Sequence, residues 1–220
     1  MSKIIIRPCN SNDEDGILEV CYKTGYMGED LTNMGIFNDV KLFGYLFCLY
    51  YIRYENENCF VAVDISNNNK IVGYIIGTLD SKTQERLFKK KMLYKIALRL
   101  LLHTSWKHPE SLKQVISFIK SLDLKNEPKN LYKEYPSHLH INILSEYQHK
   151  GVGTMLINKF ETHVRENNID GIHLRTSSKN IKALPFYYGK GYNIIYENYC
   201  EVWKDVKEYK SLILGKKFNI

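Results

Sequence analysis

The sequence predicts an α/β (α+β) fold, a central sheet flanked by helices, and three observations lead there. Strand-like and helix-like stretches alternate along most of the 220 residues. The hydrophobic fraction of 44% supplies a real interior, which sets global disorder aside. From His138 to Gly153 a period-two strand (Leu139, Ile141 and Ile143 alternating with His140 and Asn142) runs through a short turn into a helix. That last stretch organises the rest. Its helical run, Met155 to Val164, carries Met155, Leu156, Ile157, Phe160 and Val164 at helical spacing. A glycine-containing turn at a helix N-terminus is an anion site, because unpaired N–H groups and the positive end of the helix dipole meet there. Taken alone, Gly151 and Gly153 also fit plain turn geometry.

In order, Lys3–Arg7 is the first strand, followed by the N-cap cluster Asn10–Asp13. An amphipathic helix holds Ile17, Leu18, Val20 and Cys21 and ends near Thr24-Gly25, opening the loop Tyr26–Asp30. Glu29 and Asp30 in that loop read either as solvated or capping residues or as attractors of a cationic amine. An aromatic, apolar helix runs from about Lys41 to Arg53. Strands at Cys59–Asp64 and Ile71–Thr78 flank a Ser66–Lys70 hairpin loop.

Ser81–Tyr135 is long for a connection between neighbouring strands. Two helices are expected in it: Gln84–Thr104, with Leu87, Leu93, Ala97, Leu100 and Leu101 as its apolar stripe, and one from Pro109, with Leu112, Val115, Ile116, Ile119 and Leu122 inward. Both would pack as a lid at the site's edge. The segment holds thirteen Lys/Arg against five Asp/Glu, so it alone accounts for the whole chain's net charge of +7. Its lysines read as a solvated face, as a guide for an anionic ligand, or as a dock for an acidic partner. After the central helix come a strand at Gly171–Thr176, a helix holding Ala183–Tyr188, and a last strand or hairpin from Tyr192 to Trp203. Lys204–Ile220 is a basic tail with no element assigned.

Several classes are poorly supported. No apolar run approaches the ~18 residues of a membrane span, and the N-terminus lacks a signal-peptide pattern, so the cytoplasm is the default compartment. Five scattered cysteines, with no C-x-x-C pair, speak against a disulfide scaffold or a zinc site, and no metal is expected. No nucleic-acid-binding motif accompanies the basic residues.

Q-x-x-G-x-G (Gln148, Gly151, Gly153) is followed by N-x-x-A-x-x-F-Y-x-x-x-G-Y (Asn180, Ala183, Phe186, Tyr187, Gly191, Tyr192), in the order and spacing that resemble the GNAT superfamily of acetyl-CoA-dependent N-acetyltransferases. Thr24-Gly25, Gly28–Asp30, the long insertion and Pro136–Ile141 resemble, more narrowly, bacterial GNAT proteins related to the acetyltransferase-like domain attached to O-GlcNAc hydrolases, over roughly residues 3–200. The resemblance implies a GNAT fold: one domain over 1–220 with its insertion at 81–135, and a mostly antiparallel mixed sheet splayed at the acetyl-CoA site. Acetyl-CoA would be the co-substrate. The main chain of Ile141 and Ile143 would bond its pantetheine arm, and amides from His149, Lys150, Gly151, Val152, Gly153 and Thr154 would cradle its pyrophosphate. Gln148 and Lys150 would flank it, and Asn180 would join the cofactor site. Glu29, Asp30 and Asn142 would face the acceptor.

Tyr187 stands where the family's general acid stands, although an aromatic on a helix is more usually core. His138 and His140 resemble the strand histidines of arylalkylamine N-acetyltransferases and are candidates for the base. Counted back from the G-x-G turn they are one residue out of step, which reverses the strand face unless a bulge restores it. The expected activity is acetyl transfer to a primary amine, on a small molecule or peptide, by direct attack in a ternary complex. The alternative is a non-catalytic acyl-CoA-binding module that recruits a partner through the insertion. Either a monomer or a homodimer is compatible.

Overall fold

The computed structural model describes residues 2–121, 128–200, 206 and 209–218. In chain order the elements are β1 (Ile4–Pro8), α1 (Glu14–Lys23), α2 (Val40–Phe47), α3 (Leu49–Tyr54), β2 (Phe60–Asp64) and β3 (Lys70–Thr78). The insertion supplies α4 (Ser81–Arg99), which continues through a π-helical turn Leu100–Thr104 into α5 (Ser105–Lys107), then α6 (Pro109–Ser121) and α7 (Leu131–Glu134). The chain then makes β4 (Ser137–Ile143), α8 (Val152–Glu166), β5 (Gly171–Ser177), α9 (Ala183–Gly189), β6 (Asn193–Cys200) and β7 (Tyr209–Lys217). Among the described residues these strands form one seven-stranded sheet in the order β1-β2-β3-β4-β5-β7-β6. Every neighbouring pair is antiparallel except β4 and β5.

α8 covers one face of the sheet, burying Leu156, Ile157, Phe160 and Val164. On the other face lie α1, α2 and α3, and Glu14 of α1 ties them together through Arg53 and Lys41. Those cations, Arg53 foremost, hold its carboxyl down at about 2. Apolar side chains from both faces join a continuous core.

One glycine permits the close fit of β3 against β4 and α8. A Cβ at Gly77 would stand 2.3 Å from the His138 carbonyl oxygen and 2.5 Å from Phe160 Cζ. Gly77→Ala is expected to cost about 3 kcal/mol, because the obstruction is backbone and cannot rotate aside. A urea unfolding midpoint within error of wild type would contradict this packing.

The structure corrects several expectations. The Lys41–Arg53 helix is broken at Cys48 (φ −132°, ψ −36°) into α2 and α3. In α4 the buried side chains are Ser81, Gln84, Met92 and Ile96, while Leu93 there and Leu101 in the π-helical turn, both of the expected stripe, are exposed. In α6 Val115 is buried as expected, but beside Ser111, Gln114 and Ser117, and Ile116 and Ile119 stand outward; Leu122 lies outside the described residues. Polar anchors, not leucine spacing, decide these faces. Arg99 Nε and Thr104 Oγ1 reach the buried Asp39 at 2.8 and 2.6 Å, and Ser111 Oγ accepts from the amides of Asn38 and Asp39 at 2.7 and 3.0 Å. The tail left without an element supplies β7, an inner strand of the sheet. The far end of the expected last hairpin, toward Trp203, lies outside the described residues.

Candidate functional site

Strands β4 and β5 run parallel but pair at only two positions, Ser137 with Ile172 and His138 with His173. Beyond them the strands part. The amide of Leu144 bonds the Val72 carbonyl at 2.9 Å, and β4 pairs with β3 without a register shift. By antiparallel alternation the main-chain groups of His140 and Asn142 therefore face β3, and those of Ile141 and Ile143 face the opening. A strand edge in the middle of the sheet is thus left free to pair with something extended.

That edge leads through a turn to α8. His149 (φ +58°) and Gly151 (φ +81°) both adopt left-handed backbone, and at Gly151, the N-cap, no side chain caps the helix. The amides of the first turn therefore lack a side-chain acceptor. His149 and Lys150 are exposed beside them, with Lys150 Nζ 5.4 Å from the Tyr147 ring centre. Gln148 has turned inward, and its Nε2 donates to the Ile143 carbonyl at 2.9 Å.

The two sequence motifs meet here. A Cβ at Gly153 would lie 3.2 Å from both Ile143 Cδ1 and Phe186 Cζ, which places α9 against the start of α8. Tyr187 is buried between Phe186 and Tyr192 at ring separations of 5.5 and 6.2 Å. Burial raises its phenol well above the ordinary range, so it stays protonated at neutral pH. Its hydroxyl makes no hydrogen bond among the described residues.

The side chains of His138, His140 and Asn142 share the sheet face that carries α1 and α3. With no bulge in the β3–β4 ladder, the register of the histidine pair is the plain alternating one. A cavity of about 350 Å³ opens on this face, lined by His138, His140, His173, Tyr51, Phe47 and Phe88 among others. Gln84, Glu85 and Lys89 of α4 line it too, so the insertion closes one edge of this cavity. The His138 imidazole lies edge to face with that of His140, ring centres 5.6 Å apart, and tilted against that of His173 at 5.5 Å. Desolvation dominates their titration. It pushes His138 well below its usual value, and His140 and His173 to about 4, with Arg175 adding to the effect. All three are neutral at pH 7.

Asn142 Nδ2 donates to Thr24 Oγ1 and so tethers the end of α1. Glu29 and Asp30 are exposed and outside the cavity lining: Glu29 pairs with Lys182 at 2.7 Å, and Asp30 accepts from the Thr32 amide. Asn180 is half-buried, donating weakly to Thr176 Oγ1 at 3.4 Å, with Gly28 of the loop that carries Glu29 packed on its amide. Sequence reasoning passed over His173, Tyr51 and Ser81. A signal existed for His173, which alternates onto one strand face with Arg175.

One further group brings potential metal ligands together among the described residues, namely Asp39, His103 and His108, whose atoms lie within 4.8 Å of one another. Burial works against ionising Asp39, but Arg99, Thr104 and the Leu42 amide outweigh it and engage the carboxylate fully. That carboxylate has no lone pair left over for a cation.

Residues 112–192 match the family model described as the acetyltransferase (GNAT) family. The crystal structure of SsHAT superposes with a TM-score of 0.72 over 98% of both chains at 22% identity. The chain has the GNAT fold. An N-acetyltransferase from Staphylococcus aureus Mu50 shares that fold, with a TM-score of 0.58 at 10% identity over 98% of this chain and 99% of the other. So does the NatC complex bound to Gag peptide and CoA, at 0.56 and 13% identity, covering 99% of each. In sequence, the uncharacterised protein YxbD of Bacillus subtilis (strain 168) is 37% identical over 82 residues, 36% of this chain. The match spans 52% of YxbD, about half its length. The open β4 edge is the splay expected of a GNAT sheet. No described helix is long and apolar enough to cross a membrane.

Proposed function

We propose that this protein is an N-acetyltransferase that moves an acetyl group from acetyl-CoA to a primary amine by direct attack in a ternary complex. The observation that carries the reading is the β4 edge, freed after His138 and running straight into the uncapped start of α8. The pantetheine arm is extended and amide-bearing, and it fits beside Ile141 and Ile143 as an added strand. The pyrophosphate fits the amides of His149–Thr154, with Lys150 beside it and Asn180 across the splay. Because Gln148 already donates to the Ile143 carbonyl, Ile143 offers its N–H, the donor suited to polarising the thioester carbonyl. The NatC structure, similar in fold, is described with CoA bound, which agrees with this use of the fold.

The acceptor enters from the face of the histidine cavity, as a small-molecule or peptide amine. A lysine-like amine, with a pKa of ~10.4, must lose a proton before it attacks, and neutral imidazoles of His140 or His138 can accept it. Tyr187 donates to the departing sulfur. The chain acts as one domain whose 81–135 insertion is the lid, in a cytoplasmic setting where acetyl-CoA is made. Its narrower kinship, on Pro136–Ile141 and the insertion, is with the bacterial relatives of the O-GlcNAc hydrolase domain.

Acetyl-CoA is expected to raise the melting temperature by several degrees at concentrations ~100-fold above its dissociation constant. CoA release, followed with a thiol dye, is then expected with at least one member of an amine panel. Absence of the thermal shift would sink the reading. Binding without turnover of any amine would leave the protein a CoA-binding module and not an enzyme.

A further inference from the structure

The three-histidine cavity contains a chain of hydrogen bonds whose direction is fixed from one end. Ser81 opens α4, and its Oγ lies 2.6 Å from the Pro136 carbonyl oxygen. A carbonyl has no proton to offer, so the Ser81 hydroxyl donates there. Ser81 Oγ also lies 2.9 Å from His138 Nδ1, and with its only proton engaged it accepts from Nδ1–H. A neutral imidazole protonated on Nδ1 carries a bare lone pair on Nε2. Tyr51 OH, 2.6 Å from that Nε2, is its donor. The phenol oxygen then accepts, and the remaining neighbour is His140 Nε2 at 3.3 Å. His140 is thereby protonated on Nε2, which leaves Nδ1 as its lone pair. Nδ1 has no hydrogen-bond partner among the described residues.

We infer that Ser81, His138 and Tyr51 are positioning residues that lock His140 in its Nε2–H tautomer, so that His140 Nδ1 is the atom that takes the acceptor's proton. The assignment deepens the acetyltransferase reading and rests on it only in that last step; the tautomer stands on geometry alone. It separates two histidines that the sequence left equivalent. His138 has both ring nitrogens engaged and acts through its neighbour, whereas His140, which lines the cavity, keeps one without a partner among the described residues. His173 is fixed independently, its Nδ1 donating to the Tyr135 carbonyl at 2.8 Å, and takes no part in the chain.

A tautomer lock raises the share of base in the reactive form and holds its ring, as an orienting partner does for an active-site histidine. Without Tyr51 the His140 ring can populate Nδ1–H, which presents a proton where a lone pair is needed. The test is a long-range nitrogen–proton correlation spectrum of the imidazoles at pH 7.5, in wild type and in Tyr51→Phe. Wild type should show His140 protonated on Nε2 and bare on Nδ1, with His138 the reverse. Tyr51→Phe should give His140 a mixture of tautomers and lower kcat about tenfold, with the acceptor KM changed less than twofold. Ser81→Ala, which keeps the Ser81 amide bond to Pro136, should loosen His138 first and His140 in turn. It serves as the second probe should the tyrosine variant not fold. Finding His140 protonated on Nδ1 in wild type, or unchanged in both variants, would overturn the lock. If the spectra come out as expected but no amine is acetylated by wild type, the lock holds and the enzymatic reading fails.

Discussion

Tyr187→Phe is expected to lower kcat about 100-fold while leaving acetyl-CoA affinity within twofold of wild type. The substitution is clean for a structural reason. The ring packs against Phe186 and Tyr192, and phenylalanine keeps those contacts. The hydroxyl has no partner among the described residues, so its removal strands no buried group, and the melting temperature should barely move. What is lost, on the proposed mechanism, is the donor to the departing sulfur. Burial has raised this phenol well above its usual value, and a thiol titrates near ~8.5, so complete transfer of the proton to sulfur runs uphill. In the proposed mechanism the group therefore acts by hydrogen bonding to the charge developing on sulfur, with the proton following from solvent, and an effect of two decades suits that role. Turnover unchanged in Tyr187→Phe, measured as CoA release in the presence of a competent amine, would remove the residue from the mechanism. It would also bring forward the binding-module alternative.

How much of this was legible in the sequence depended on which force set each element. The stretch from His138 to Gly153 was readable because two local signals coincide in it, a period-two strand and a glycine turn before a helix. Both follow from backbone geometry and need no knowledge of distant residues. The faces of α4 and α6 were readable only in part, with Leu87, Leu100 and Val115 packed on the core as their spacing predicts. Their orientation is set by a carboxylate from the loop before α2 and by a serine hydroxyl on two amides, contacts spanning 60 to 73 positions. Those anchors leave Leu93, Leu101, Ile116 and Ile119 outward, against the leucine spacing. Strand β7 was lost for a different reason. Leu212, Ile213 and Leu214 are a short apolar run buried on both faces, which periodicity cannot separate from a helix fragment, and lysines around it made the tail look solvated. At the site, His138 and His140 were found through a motif, whereas Tyr51, Ser81 and His173 come from α3, α4 and β5 and converge only in space. Glu29 shows the converse. Its charge suggested an amine site, and among the described residues it pairs with Lys182 of the same chain.

Stability is expected to fall steeply as the pH drops from about 6.5 toward 4, before the carboxylate ion pairs titrate. The sign follows from the histidines. His140 and His173 are lowered from 6.5 to about 4 in the folded chain, and His138 lies well below 6.5. Across that window the unfolded chain binds protons that the folded chain refuses, so the contribution of these groups is fully present above 6.5 and is lost as the pH falls through 4. Each of His140 and His173 is worth on the order of 3 kcal/mol over the window. The effects combine less than additively because the rings neighbour one another. Glu14, held at about 2 by Arg53 and Lys41, loses its contribution only between 4.5 and 2, so the two sets separate on the pH axis. Urea midpoints at pH 7.5, 6, 5 and 4 measure the slope. His173→Asn keeps a donor for the Tyr135 carbonyl, and His140→Gln keeps one for Tyr51; each should flatten the curve by about one proton. A wild-type profile level between pH 7 and 5 would mean that the imidazoles are not desolvated as the cavity implies. The neutral base on which the proton transfer depends would then have to be found elsewhere.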